Sequence, residues 1–263
     1  MLGCYFWYTH WHQARVASQQ QIGVERTLLA CVLLIHGYAI FSDILQSDHL
    51  YFGTAEALST TVWIAITSYW LATFAIRLDG LQPVLFFIAT LLMGFNLILP
   101  AEHHRIAVAV TPLFKLHFIL AMLAYGLMLY AVWLALLIKI ADRQLHIARG
   151  KYLVQQLPSL LTLEKYLFDS IAIGFVLLTL ALMTGFGFAF REYGLAHAAY
   201  FSHKVIFALL SWLVFAVLLW GRIRRGWRGR FAVNWILVGF ILLILSYIGS
   251  SFVLHILLQR DVS

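Results

Sequence analysis

Charged side chains are scarce in this chain. Asp, Glu, Lys and Arg make up 11% of its 263 residues, whereas apolar and aromatic residues make up 63%. A soluble domain of this size cannot bury so much apolar surface, and this composition therefore excludes a soluble globular protein. The long apolar runs also lack the apolar–polar alternation of barrel strands. The sequence therefore predicts an all-α, polytopic membrane protein, whose spans satisfy their backbone hydrogen bonds internally.

Cysteine is rarer still. The chain contains only Cys4 and Cys31, and it has neither a CxxC nor a CxxCH motif. A disulfide framework, a zinc ribbon and covalent c-type haem attachment therefore lack their signatures. The first nine residues are apolar but lack the basic start and small-residue cleavage site of a signal peptide. We interpret them as the end of a truncated N-terminal helix, which predicts an eight-helix parent.

Seven apolar runs predict seven complete spans in a single integral membrane domain over residues 1–263, because about 20 apolar residues are enough to cross a bilayer. Pro112 stands where a helix can begin. Residues 151–167 are amphipathic and are predicted to lie along the membrane surface. The predicted spans cover about 27–45, 58–76, 82–99, 114–139, 167–190, 200–220 and 231–255.

Acidic residues are absent from the turn between the last two spans, which carries five arginines: Arg222, Arg224, Arg225, Arg228 and Arg230. Short basic loops stay in the cytoplasm, and this turn therefore predicts the orientation of the whole chain. Alternating sides then assigns 13 of the 18 basic residues to the cytoplasmic side, in segments at about 10–26, 77–81, 140–166 and 221–230 and at Lys139 beside them. The C-terminus is predicted to lie outside, in a bacterial inner (plasma) membrane protein. Topology explains the basic charge, and we expect no nucleic-acid partner.

The predicted topology places seven of the 11 histidines at or near the outer side. His36, His117 and His203 lie within spans, where ionisable groups are costly and usually functional. Histidine is a common ligand of metals and of haem iron. His117 shares a helix face with small residues, which leave room for a flat group but also suit plain helix packing. The remaining outer histidines are ordinarily solvated or interfacial: His49, His103, His104, His197 and His255.

Four stretches carry a family resemblance: LLIHGYAIFSDI around His36, FGTAEALSTTVWIAI after it, FKLHFILAMLAYGLMLYA around His117, and SHKVIFALLSWLVFAVLLWGRIRRGWRGR. The last is the most specific, because a GWRGR turn between two spans has no general reason to occur. On these stretches the chain resembles the cytochrome c assembly protein family, most closely its small YpjD-like branch.

The resemblance implies a helical bundle that binds b-type haem non-covalently through histidines and presents it at the outer membrane face. His36 matches the family's intramembrane histidine. His117 matches the outer-face histidine of an HxxxxxxxY pattern, with Tyr125 as the tyrosine. Lys204 matches a family lysine. The tryptophan- and aspartate-rich stretch that precedes this lysine in haem-delivering members is replaced by REYGLAHAAYFSHK.

Three functional hypotheses follow. The leading one is a haem-handling assembly factor, without enzymatic turnover, in which His117 and His203 ligate haem iron at the outer face and His36 serves a deeper site. Its partners are haem, the lipid bilayer, and other membrane or cytochrome-assembly proteins. The alternative is divalent metal ion transport, with an entry site formed by the outer histidines together with Asp48, Glu56 and Glu102. The third is a structural subunit whose histidines only form hydrogen bonds.

Overall fold

A computed structural model of the protein describes residues 19–46, 50–51, 54–76, 82–98, 105–106, 111–147, 159–198 and 203–252. Near some segment ends the description covers the backbone only. The secondary structure is almost entirely helical. In chain order the elements are α1 (Gln19–Gln46), β1 (Leu50–Tyr51), α2 (Thr54–Ala72), α3 (Gln82–Ile98), β2 (Arg105–Ile106), α4 (Pro112–Ile147), α5 (Leu160–Ala198), α6 (His203–Arg225) and α7 (Gly229–Phe252).

Within the described residues, each predicted span overlaps one of these helices. Within the described part of the chain, five helices are long and apolar enough to cross a membrane: α1, α4, α5, α6 and α7. Helix α2 contains several serines and threonines, and α3 is apolar but only 17 residues long. The helical membrane fold is thus confirmed, whereas the count of seven spans and an eight-helix parent stays a prediction.

The helices extend further than the apolar runs. Helix α4 continues to Ile147 and α5 begins at Leu160, so that much of the charged connection predicted at 140–166 is helical. Lysine and arginine have high helix propensity, and the hydrogen-bond ladder therefore continues where the apolar run stops. Helix α4 begins at Pro112 as predicted, because proline has no N–H to leave unpaired in a first turn.

The chain divides into two compact units, of which the first comprises residues 1–109 and 133–167. In this unit α1 and α2 form an antiparallel pair held by tryptophan side chains. The indole Nε1–H of Trp63 donates to the backbone carbonyl oxygen of Leu33 at 2.7 Å. The indole Nε1–H of Trp70 donates to the backbone carbonyl oxygen of Arg26 at 3.0 Å. Donors and acceptors are both seven residues apart, and this spacing keeps them on one face of each helix.

A glycine makes the first of these bonds possible. In an α-helix the carbonyl of residue i lies beneath the side chain of residue i+4, and Gly37 occupies that position for Leu33. A Cβ atom at Gly37 would lie only 3.0 Å from the indole ring of Trp63. At the other end of the pair, the Arg26 guanidinium donates to the carbonyl oxygen of Thr73, just after the last turn of α2. A cation there also complements the helix dipole.

The first unit also contains the two short strands. β1 pairs with β2 in antiparallel register, with Leu50 opposite Ile106 and Tyr51 opposite Arg105.

The second unit comprises residues 110–132 and 168–263, and its helices form a closed ring of contacts. A Cβ atom at Gly174 of α5 would lie 2.9 Å from Met128 Cε of α4. The indole of Trp212 in α6 donates to Thr179 Oγ1 of α5 at 2.9 Å. Two further hydrogen bonds complete the ring. Ser211 Oγ of α6 donates to the carbonyl oxygen of Gly239 in α7 at 2.8 Å, and the Tyr125 hydroxyl of α4 donates to the carbonyl oxygen of Leu243 in α7 at 3.1 Å.

The turn between α6 and α7 explains the GWRGR motif, which the sequence left without a general reason. Gly226 and Gly229 have φ of 66° and 64°, values that a residue with a side chain rarely adopts. The N–H of Gly226 donates to the carbonyl of Arg222 at 3.1 Å, which closes α6 with a left-handed cap. The ring of Trp227 then lies on the backbone of Gly221.

We predict that Gly221→Ala destabilises the protein. The added Cβ would lie 2.3 Å from the Trp227 ring, and that ring already packs against Phe231 and Trp235, with centroids 4.7 and 5.8 Å away. Overpacking of this kind costs about 1–3 kcal/mol of unfolding free energy. The measurement is the thermal unfolding midpoint of the detergent-purified protein.

Gly94→Ala is the matched control, because no atom lies within 4 Å of a Cβ at this helical glycine. Alanine has the higher helix propensity, and the control should unfold at the same temperature or slightly above. Equal midpoints for the two variants would show that Trp227 is not fixed on Gly221.

Candidate functional site

His117 lies in the second turn of α4, because the helix begins at Pro112, two residues earlier than the predicted span. Its imidazole Nδ1 lies 2.7 Å from the carbonyl oxygen of Ala181 in α5. A carbonyl oxygen only accepts hydrogen bonds, and Nδ1 must therefore carry the proton. In the neutral imidazole the lone pair is then on Nε2. This contact defines both the tautomer and the orientation of the ring.

Gly185 gives His117 access to that carbonyl. It is the residue at i+4 from Ala181, whose side chain would otherwise cover the oxygen. A Cβ atom at Gly185 would lie 2.7 Å from His117 Cε1 and 2.9 Å from Nδ1. In the sequence, the predicted fifth span ends in TGFGFAF (residues 184–190), whose glycines indicate either a helix end or a close packing contact. The helix-end interpretation is wrong, because α5 continues to Ala198, and the packing interpretation is confirmed at Gly185.

The same carbonyl has a second side-chain partner. The Thr184 hydroxyl lies 2.8 Å from the carbonyl of Leu180 and 3.1 Å from that of Ala181. The Ala181 oxygen is thus approached by a hydroxyl from its own helix and by the imidazole from α4. It belongs to a buried residue, whereas His117 itself is half-buried. A hydrogen bond shielded in this way is stronger than one exposed to water.

Above and below His117 the seam between α4 and α5 is filled. Toward the start of α4, Phe114 contacts Phe188 with ring centroids 5.3 Å apart. Toward the middle of the helix, Ala124 and Met128 are fully buried, and Met128 packs on Gly174. The sequence allowed two interpretations of this face of α4, room for a flat group or plain helix packing, and at Ala124 and Met128 the face is packed. Any space beside the His117 imidazole therefore lies next to the ring itself and not further along the seam toward either helix end.

His203 is the first residue of α6, and its side chain lies outside the described residues. Its neighbour is well fixed, because Ser246 Oγ of α7 donates to the carbonyl of Lys204 at 2.7 Å. Ser246 also forms a side-chain hydrogen bond with Tyr125 of α4. The start of α6 is thus connected through α7 to a residue two turns after His117.

His36 has a different environment, in the other unit. Its Nε2 lies 2.9 Å from the Ser59 hydroxyl of α2, next to the bond between Trp63 and Leu33. The nitrogen that commonly ligates haem iron is therefore engaged in a contact between two helices. Sequence reasoning missed Ser59, because α2 contains several serines and threonines and nothing around Ser59 distinguishes it from them.

The side chains of the other outer histidines, and of two of the three acidic residues of the proposed entry site, lie outside the described residues: His49, His103, His104, His197 and His255, together with Asp48 and Glu102. The pairing of His117 with His203 stays a prediction for the same reason. Where side chains are described, no group of three His, Cys, Asp or Glu residues comes together as a metal site.

Comparison with known proteins gives several matches. The family described as "Cytochrome C assembly protein" matches residues 28–258. The inner membrane protein YpjD of Escherichia coli (strain K12) is 31% identical over 175 residues, which is 66% of this chain and 64% of that protein. A cytochrome c biogenesis protein CcsA of Prochlorococcus marinus (strain MIT 9515) is 38% identical over 90 residues, 34% of this chain and 28% of that protein.

An uncharacterized 28.8 kDa protein of Azospirillum brasilense is 27% identical over 210 residues, which cover 76% of each chain. No solved structure matches. The family match includes His36, His117 and His203 together with the Arg-rich turn, and it covers every helix from α2 to α7 completely. The chain therefore belongs to the cytochrome c assembly protein family.

Proposed function

We propose that this protein handles haem in the inner membrane and that His117 ligates the iron of a non-covalently bound haem b through Nε2. The observation that carries the proposal is the hydrogen bond from His117 Nδ1–H to the Ala181 carbonyl. Histidines that ligate metals almost always donate their other ring N–H to a carbonyl, a carboxylate or water, which orients the ring and raises its basicity. His117 has this arrangement.

His203 is the proposed second ligand at the same end of the unit. Helix α5 runs antiparallel to both α4 and α6. Phe114 contacts Phe188 whereas Met128 contacts Gly174, and Trp212 contacts Thr179 whereas Arg222 contacts Phe168. Helices α4 and α6 therefore run in the same direction, and both begin at the same end. His203 precedes Trp212 by nine residues, about 13 Å along the helix, which brings it to about the level of Phe114 and Phe188. His117 and His203 then differ in depth by about one helical turn.

His36 serves as a proposed ligand of a deeper site only if its bond with Ser59 breaks. In its described position the imidazole connects α1 to α2. The proposal for the outer site does not depend on it.

Bound haem supplies an iron centre whose reduction potential is set by its axial ligands and its burial. The chain's own contribution is to hold one imidazole in a defined tautomer at the seam of α4 and α5. Such a protein acts as an assembly factor rather than as an enzyme. The names of the relatives support this role, since YpjD is an inner membrane protein and CcsA is a cytochrome c biogenesis protein. Other membrane or cytochrome-assembly proteins are its proposed partners.

The replacement of the tryptophan- and aspartate-rich stretch leads us to separate haem binding from haem delivery. Residues 191–204 read REYGLAHAAYFSHK and contain neither tryptophan nor aspartate. The proposal is therefore haem binding and handling, with delivery to a cytochrome as a further step. The Nε2 lone pair of His117 would bind a divalent metal ion equally well. The family membership favours haem over the transport alternative.

We predict that His117→Gly removes the bound haem and that added imidazole restores it. Loss of an outer-shell partner alone weakens metal binding 10- to 100-fold, and loss of the ligand itself should cost at least about a hundredfold. Free imidazole can occupy the space left by the side chain and ligate iron in its place. The measurement is haem per protein, from the Soret band and the pyridine haemochrome.

His36→Ala is the control, because it removes another intramembrane imidazole, one bonded to Ser59 in the other unit. It should leave the haem that depends on His117 in place. Full haem content in His117→Gly would contradict the proposal. Loss without imidazole rescue, in a variant that unfolds at the wild-type temperature, would contradict it as well.

We predict that Gly185→Ala weakens haem binding about 10- to 100-fold, because the new methyl group displaces the His117 ring and breaks its bond to Ala181. Gly187→Ala is the matched control, since the nearest atom to a Cβ there is Leu113 Cδ2 at an ordinary 3.9 Å. Haem affinity and the Soret maximum of the two variants are compared at equal thermal stability. Equal affinities would show that the orientation of His117 does not matter for binding.

A further inference from the structure

The turn between α6 and α7 is short. Helix α6 ends at Arg225 and α7 begins at Gly229, so that three residues separate two helices that are each long and apolar enough to cross a membrane. The apolar runs of these helices end at Trp220 and resume at Phe231, and the residues between them are rich in arginine. We expect such a short connection between two spans to keep its side chains near the lipid headgroups.

Besides Arg230 in the first turn of α7, three arginines of this turn are exposed: Arg224, Arg225 and Arg228. The first turn of α7 contains no acidic residue. Arg222 belongs to the inner side of the turn, since its guanidinium donates to the Trp227 carbonyl at 3.1 Å and lies 4.3 Å from the centre of the Phe168 ring. One arginine thus stabilises the turn, and three guanidinium groups face outward.

Large apolar side chains lie beside this exposed charge. Ile223 is 81% exposed and Trp220 is 56% exposed. The guanidinium carbon of Arg225 lies 5.9 Å from the centre of the Trp220 ring. A soluble anion would contact only the arginines, whereas a phospholipid presents phosphate and acyl chain together. The mixed surface matches the lipid.

The backbone of the turn is fixed before any ligand binds. Gly226 caps α6, and the Trp227 ring is held between the Gly221 backbone and the rings of Phe231 and Trp235. A fixed turn loses little conformational entropy when its arginines are engaged. The planar guanidinium group of arginine also binds phosphate through two parallel N–H donors, an arrangement that the ammonium group of lysine does not reproduce.

We propose that this turn is a binding site for anionic phospholipid. Arg224, Arg225 and Arg228 bind the headgroup phosphate, and Ile223 and Trp220 contact the adjoining acyl chains. The site lies within the second unit, and its assignment does not depend on whether the protein binds haem.

The test uses the full-length protein, purified in detergent and delipidated, with bound lipids counted by native mass spectrometry. The probes are dioleoyl phosphatidylglycerol and dioleoyl phosphatidylcholine. The wild type should bind phosphatidylglycerol in preference to phosphatidylcholine. In the triple variant R224Q/R225Q/R228Q this preference should fall by about a hundredfold, since each interfacial basic residue contributes roughly a factor of five. The triple lysine variant should lose only part of it.

The matched control, R143Q/K165Q/R191Q, removes three exposed basic residues elsewhere on the chain and should keep the preference. An equal loss of the phosphatidylglycerol preference in the control would show that the preference follows the net charge of the protein, and would contradict a lipid site at this turn. Wild-type binding by the arginine-to-glutamine variant would overturn it too. Glycerol phosphate, which has no acyl chains, should not displace the lipid, and displacement at matched concentration would show a phosphate site instead.

Discussion

The hydrogen bond between a side-chain N–H and the carbonyl of a neighbouring helix is the interaction on which this structure depends. A bilayer offers no water to its interior, and every polar side chain there needs a protein partner. Helix carbonyls are the most abundant acceptors, but each is covered by the side chain one turn further on. Glycine removes that cover. Gly37 leaves the carbonyl oxygen of Leu33 open to the Trp63 indole, and Gly185 leaves the carbonyl oxygen of Ala181 open to the His117 imidazole.

The two cases use the same geometry for different ends. The tryptophan side chain has a single N–H donor, and once this N–H donates to the Leu33 carbonyl no other polar group remains on the ring. The bond is therefore purely structural. Histidine has two ring nitrogens. When Nδ1–H donates to Ala181, Nε2 keeps a lone pair in a fixed direction. The packing device that joins α1 to α2 in one unit therefore produces a candidate metal ligand in the other.

Much of the helical fold could be predicted, because apolar runs of about 20 residues in a chain with few charges have one physical solution. Helix ends were harder. Charged residues after Lys139 continue α4 to Ile147, since helix propensity and not hydropathy determines where a helix stops in water. The number of membrane crossings depends on α2, which contains several serines and threonines, and on α3, which is apolar but only 17 residues long.

At the candidate site, residue type pointed to His36 and His117, and a helix-surface pattern indicated their faces. The partners could not be predicted. Ser59 and Ala181 come from other helices, and contacts across helices are set by tertiary packing rather than by local spacing. One local signal did exist, the glycine pair in TGFGFAF, which allowed a close approach at that point of α5. It indicated where a side chain from elsewhere could enter, but not that the side chain is His117.

The most direct measurement is a cryo-EM structure of the full-length protein loaded with haem. The account predicts iron bonded to His117 Nε2, with Nδ1 still hydrogen-bonded to the Ala181 carbonyl and with His203 on the opposite face of the haem. Iron ligated by other residues, with the His117 imidazole bonded to Ala181 and facing only protein or lipid, would contradict it.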